Sequence, residues 1–218
     1  MYIKIYQMTL ESKTKFLSLD KQPGQMANAE QYLRVFSGDV DCTDLEDVFR
    51  MFNHEGHRLH RGHSLSVSDV VEVVADNNST FHYCDSMGFR PVEFRPDRAQ
   101  TGTDLIRILV VEPGRKPYES EIVNTLRGQQ LAVEGYIEYV DNGDGTYIVC
   151  NEEGKLQHMQ PNRHYYDDIL VGPFFVAGVG EEDLCSLTDE QLATYTERFA
   201  EPEQIAQSDV GSIFYCIQ

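Results

Sequence analysis

Four histidines recur at every third position: His54, His57, His60 and His63. Four neutral imidazoles at such a spacing could hold zinc or another transition-metal ion. Residues three apart share a helix face, yet Gly56 and Gly62 within the run argue for a loop, and no known metal motif surrounds it. The run reads as a polar loop, and no metal is expected. His82 and Cys84 stand two apart with Asp85 adjacent, so in a strand the first two share a face. A Cys–His nucleophile needs a base fixed in space and donors for the developing charge, and the sequence shows neither. Asp141-Asn142-Gly143-Asp144-Gly145 puts glycine at the third and fifth positions, where an EF-hand loop needs oxygen ligands, so it reads as a turn. Gly178-Val179-Gly180 lacks the third glycine of a dinucleotide-binding turn. Asn162 and Arg163, followed by Tyr165 and Tyr166, form a polar cluster. Arginine is scarce in this half, so a structural pairing of Arg163 outranks ligand contact. No catalytic residue and no cofactor is expected.

The elements that would position these groups follow from periodicity. Tyr2 to Met8 alternates as a strand, Lys15 to Leu19 looks like a second, and residues 32–36 like a third. Thr43 reads as the N-cap of a helix with Glu46 in the capping-box position, and Leu45, Val48, Phe49 and Phe52 lie on one face. The β-branched run from Ser64 to Val74 and the run Thr80 to Asp85 flank Asp76-Asn77-Asn78-Ser79, a hairpin signature. Residues 96–103 are polar, rich in turn formers, and read as a linker. Leu105 to Val111 restarts as a buried strand, and residues 118–133 read as mostly helical, weakened by Gly128. A hairpin is expected across residues 135–140 and 146–150, then a strand at 174–178. A last helix runs to about Phe199, capped by Thr188 with Gln191 in the box position. The expectation is an α+β protein of two small domains, 1–95 and 104–201, each a mainly antiparallel sheet with one or two helices, followed by a tail over 202–218.

Charge is the strongest global signal. The formal net charge is −18; residues 1–100 hold 11 Lys/Arg against 15 Asp/Glu, residues 101–218 hold 7 against 21, so the net values are −4 and −14. A surface of that sign repels phosphate backbones, which excludes direct nucleic-acid binding by the second half. Solubility is the plain reading of the acidity, and a basic protein partner or imitation of DNA the sharper one. No apolar run approaches a membrane span and Met1 to Ile5 does not resemble a signal peptide, so a cytoplasmic location is expected. Five cysteines, odd in number and without a C-x-x-C, fit free thiols in a reducing compartment.

The run Gly62-His63-Ser64-Leu65-Ser66-Val67-Ser68-Asp69-Val70-Val71, with Asp47 to Asn53 before it and His82 to Phe89 after it, resembles the YodL-like domain. Val110 to Tyr118, Gly135 to Glu138, Cys150 to Leu156, Asn162-Arg163 and Gly172 to Val176 resemble the uncharacterised family called domain of unknown function 3846. The resemblance implies a setting on conjugative elements or phages, often beside modules suspected of protecting incoming DNA. It carries over no catalytic residue, and of the four histidines only His63 falls in the pattern. The expected function is a non-catalytic, protein-binding accessory module whose acidic second domain engages a basic or nucleic-acid-binding partner. The rivals are an enzyme or small-ligand binder near His63 and His82, and a structural adaptor. Candidate ligand or partner contacts are His63, Ser64, Asp69, His82, Asp85, Asn162 and Arg163.

Overall fold

The computed structural model describes residues 1–75, 78–102 and 104–210. The chain divides into two compact units, Met1–Thr103 and Asp104–Gln218.

The first unit is built on six strands: β1 (Tyr2–Met8), β2 (Tyr32–Asp39), β3 (Val70–Ala75), β4 (Asn78–Asp85), β5 (Gly88–Val92) and β6 (Gln100–Thr101). Their order is β5-β4-β3-β1-β2-β6, antiparallel except for the parallel β2–β6 pair. β1 lies inside the sheet and buries both faces. Opposite Ile5 and Tyr6 the register of β2 shifts by one residue at Val35. Such a bulge changes which face the following side chains take. Tyr32 therefore joins Tyr6, Met8, Val70, Tyr83 and Phe94 on one face. Phe36 packs against Phe52 at 5.0 Å on the other. That second face is covered by α1 (Leu45–Arg50) and the wider π turn Met51–Glu55, whose Val48 and Phe52 are buried. The N-cap of α1 is Asp44, which accepts from the Asp47 N–H at 2.8 Å. Thr43, expected in that role, instead donates its hydroxyl to the Asp47 carboxylate.

Three expectations are corrected here. Lys15 to Leu19 is no strand: Phe16 takes a left-handed φ of 65°, its backbone N–H donates to Ser68 Oγ, and Leu17 N–H closes a turn onto Thr14 O. Five alternating residues were too few to outweigh local turn bonding. The expected linker is partly sheet, because Gln100 and Thr101 pair with Leu33 and Arg34. In the β3–β4 hairpin, Asn78 and Ser79 belong to β4, whereas Asp76 and Asn77 of the expected turn lie outside the described residues.

The second unit has a five-stranded antiparallel sheet in the order β8-β7-β13-β10-β9. Its strands are β7 (Leu105–Val111), β8 (Tyr118–Val123), β9 (Ile137–Asp141), β10 (Thr146–Asn151) and β13 (Phe174–Val179). β14 (Leu184–Cys185) adds to β13, and β11 (Pro161–Tyr165) with β12 (Asp168–Val171) forms a separate hairpin. α2 (Leu126–Val133) packs on β8, β10 and β13. α3 (Asp189–Arg198) and the β11–β12 hairpin cover the opposite face, where Tyr165, Leu170, Tyr195 and Phe199 meet Leu109, Val111, Ile148, Phe174 and Val176. α3 has the full capping box between Thr188 and Gln191. The helix expected over 118–133 is a correction: Tyr118, Ser120 and Ile122 are buried in alternation, so its first part is β8. Only after the Thr125 cap does the helical segment begin.

Candidate functional site

The spaced histidines form no ligand sphere. Among the described residues no three His, Cys, Asp or Glu side chains group as metal ligands. His57 stacks on Phe52 and meets Phe36 edge-on at 4.7 Å, and His60 meets Phe52 at 5.0 Å. Burial, helped by the positive fields of His63 and Arg61, pushes His60 down to about 4. The segment after the π turn thus delivers two half-buried imidazoles to an aromatic cluster, where they pack against Phe36 and Phe52.

His63 and Asp69 are brought together, and a residue not singled out in the sequence, Gln7, joins them. Gln7 is buried in β1; its Nε2 donates to Asp69 Oδ2 at 2.9 Å and to the His63 carbonyl at 2.8 Å, while its Oε1 accepts from the His63 N–H at 3.0 Å. Ser66 N–H gives Asp69 Oδ2 a second bond at 2.8 Å. Asp69 Oδ1 and His63 Nε2 are buried without a protein partner. Burial pushes the Asp69 carboxyl up to about 7, against the pull of the Ser66 and Gln7 N–H groups. The loop lies so close to β1 that a Cβ on Gly62 would collide with the Gln7 carboxamide. The sign of this network in the sequence is a glutamine among the consecutive buried positions that end β1. Ser64, next to His63, is exposed, and its carbonyl sits 2.7 Å from His63 Nδ1.

Asp85 and His82 go elsewhere. Asp85 accepts from Arg90, which also holds Asp20, and from the Leu19 and Ser86 N–H groups. Burial opposes its charge, yet those donors hold it below the usual carboxylate range. His82 lines a cavity of about 1060 Å³ between β4, β5 and the segment Gln22 to Gln31. Its Nε2 lies 3.0 Å from Thr80 Oγ1, and burial lowers its pKa. The five first-unit candidates therefore occupy three separate places: His63 with Ser64 and Asp69, Asp85 with Arg90, and His82 at the cavity.

In the second unit Asn162 and Arg163 are buried at 0% and 1% exposure, in the structural role that ranked ahead of ligand contact for Arg163 and not at the surface where a contact would need them. Asn162 Nδ2 donates to the Val111 and Gly172 carbonyls, and Arg163 to Asn162, to the Arg115 carbonyl and to the Phe199 carbonyl. Both side chains tie β11 to its neighbours by donating to their backbone carbonyls.

Among the exposed acidic residues of this unit, five meet at one end of its sheet. Val179 N–H donates to the Gly145 carbonyl at 2.9 Å, which sets the β9–β10 turn, with Asp141 and Asp144, beside the β13–β14 turn, with Glu181, Glu182 and Asp183. All five carboxylate residues are exposed. Register places Tyr139, Asp141 and Tyr147 on one face; the tyrosine rings are 5.7 Å apart, Tyr139 is 46% exposed, and the negative field of Asp183 acts on it. The cations of the unit are largely committed. Arg107 pairs with Glu119 and Asp189, Arg115 with Glu112, and Lys155 with Asp168. Arg163 is buried, and Arg198 lies over the rings of Tyr165 and Tyr166.

These features define a two-unit α+β protein whose accessible chemistry is an acidic, tyrosine-bearing sheet end in one unit and a cavity in the other. Residues 2–94 match the family model of the YodL-like domain, and residues 106–200 match that of the domain of unknown function DUF3846. Comparisons with curated proteins and with solved structures return no match. No helix among the described residues is long and apolar enough to cross a membrane.

Proposed function

We propose that the chain is a non-catalytic accessory module of a bacterial mobile genetic element and that its second unit engages a basic protein partner. The observation that carries this reading is the pair of acidic turns joined by the Val179–Gly145 bond, with exposed tyrosine beside them. Five carboxylates crowded at one sheet end attract lysine and arginine over a Debye length, and tyrosine faces add close-range cation–π contact. The element setting follows from the family resemblance, and a partner that itself binds DNA would fit a role in protecting incoming DNA.

The test is capture of partners from host lysate at low and high salt by the wild type and by Glu181→Gln/Glu182→Gln/Asp183→Asn. This variant spares Asp141 and Asp144, which bond within their own turn. The expected result is a basic protein held by the wild type at low salt, released by salt, and held less by the variant. Identical capture by both proteins at every salt concentration would sink the reading.

A further inference from the structure

The cavity of the first unit lies on the sheet face opposite α1, and its chemistry is unlike that of the acidic sheet end. Its floor is Phe81 and Val92 of β4 and β5 with Phe94 just beyond them; the Phe81 and Phe94 rings are 5.6 Å apart and tilted. Ala27 and Ala29 on the covering segment face this floor, with Met26 at the mouth, 60% exposed. Ala27, Ala29 and Phe94 are buried with the core cluster while Phe81 and Val92 are half-buried against it, so the small alanine side chains leave the space over Phe81 and Val92 open. The space, about 1060 Å³ and half open to solvent, slightly exceeds the usual volume of small-ligand pockets.

The polar lining decides what kind of molecule fits. Gln22 donates to Tyr83 Oη and to the Thr14 carbonyl, Asn28 accepts from the Glu30 N–H, Ser79 donates to Glu72, and Thr80 is engaged with His82. The two arginines at the rim are matched by carboxylates: Arg95 makes a two-pronged pair with Asp97, and Arg98 reaches Glu30 at 3.4 Å. Glu93 adds a further negative charge, so the rim presents no surplus of positive charge for an anion. Among the described lining residues a cation would find no buried carboxylate to pair with, and an unpaired buried charge is disfavoured. Apolar area, aromatic floor and internally paired rim together select an uncharged, flat, mainly apolar ligand.

We propose that this cavity is a binding site for an uncharged, flat, apolar small molecule, held between the Phe81/Phe94 floor and the Ala27/Ala29 cover. The site is independent of the acidic end of the second unit, so either assignment stands or falls alone.

Two dyes of one skeleton test it on the full chain: N-phenyl-1-naphthylamine, which is neutral, and 8-anilinonaphthalene-1-sulfonate, which adds a charge. The neutral dye is expected to bind saturably at one site per chain, to bind about tenfold more tightly than the sulfonate, and to weaken about tenfold in Ala29→Phe. In the wild type it should shift the methyl resonances of Met26 and Ala29 and leave Met159, in the second unit, unmoved. That last measurement needs no variant, so a poorly folding Ala29→Phe does not leave the question open. Absence of saturable binding, equal affinity for the two dyes, or shifts at Met159 but not Met26 would each overturn the assignment.

Discussion

Asp69 is a buried acid with one oxygen served by two N–H donors and the other by none. Its folded-state pKa, about 7, lies above the ordinary 3.8, so the folded chain holds this proton more tightly than the unfolded chain does. Its contribution to stability is therefore complete below pH 3.8 and is lost as pH rises through about 7. Three pH units correspond to at most about 4 kcal/mol. Asp69→Asn keeps an oxygen for Ser66 and Gln7 and carries no charge. Urea unfolding should show it equal to the wild type near pH 3.5 and increasingly more stable as pH rises to 8; lower stability at pH 8 would mean that the ionised carboxylate is wanted. His60 has the opposite sign. Its pKa is depressed to about 4, so its contribution is present above pH 6.5 and is lost as pH falls through 4. His60→Phe should flatten the acid side of the same curve, and an unchanged acid limb would count against burial as the cause. Part of this was legible in the sequence: Asp69 and His63 stand in one motif, and the structure joins them. Gln7 was not, because a single polar residue in a strand does not announce its partner 62 residues away. The pairing depends on β1 and the loop after the π turn meeting in space.

Among the elements, α2 makes the sharpest test of packing against propensity. Gly128 is its third residue, and a Cβ there would collide with the Val123 carbonyl of β8. Helix propensity alone says that Gly128→Ala should stabilise by about 1 kcal/mol. The close approach of helix to strand says the reverse, since backbone cannot yield as a flexible side chain can, and overpacking costs about 1–3 kcal/mol. The expected outcome is a lower unfolding midpoint for the variant; a raised one would show that the strand–helix corner is looser than its geometry. Propensity reasoning placed Gly128 mid-helix because Ile122 and Leu126, four apart, imitate a helical face. The competing period of two was masked by Ser120, a polar residue at a buried position. Where caps and apolar periodicity agree, as at Thr188 and Gln191 or across the Asp141–Gly145 turn, the sequence was enough. β11 was not legible: Pro-Asn-Arg-His-Tyr has no apolar alternation, and it is held by Asn162 and Arg163 donating to carbonyls of other elements.

At the scale of the molecule the two units differ chiefly in charge. Every strand of each unit pairs within that unit, and each has its own core, so neither sheet needs the other to satisfy its backbone. Fragments 1–103 and 104–218 should each unfold cooperatively, and they should respond differently to salt. The second carries a net charge of −14. Most of its cations are already committed to ion pairs, stacking or the interior, while Asp141, Asp144, Glu181, Glu182 and Asp183 crowd one end. Like charges within about 8–10 Å repel in the folded state and are relieved on unfolding, and salt screens them. Raising sodium chloride from low to physiological concentration should therefore raise the melting temperature of 104–218 by more than that of 1–103. Glu181→Gln/Glu182→Gln/Asp183→Asn should remove much of the difference. If so, the fold tolerates a destabilising concentration of charge at one sheet end, which general solubility does not require, since the same carboxylates spread over the surface would serve it without that cost. Equal salt responses in the two fragments would mean that the carboxylates are far enough apart to be indifferent to one another, and the case for a built electrostatic site would go with them.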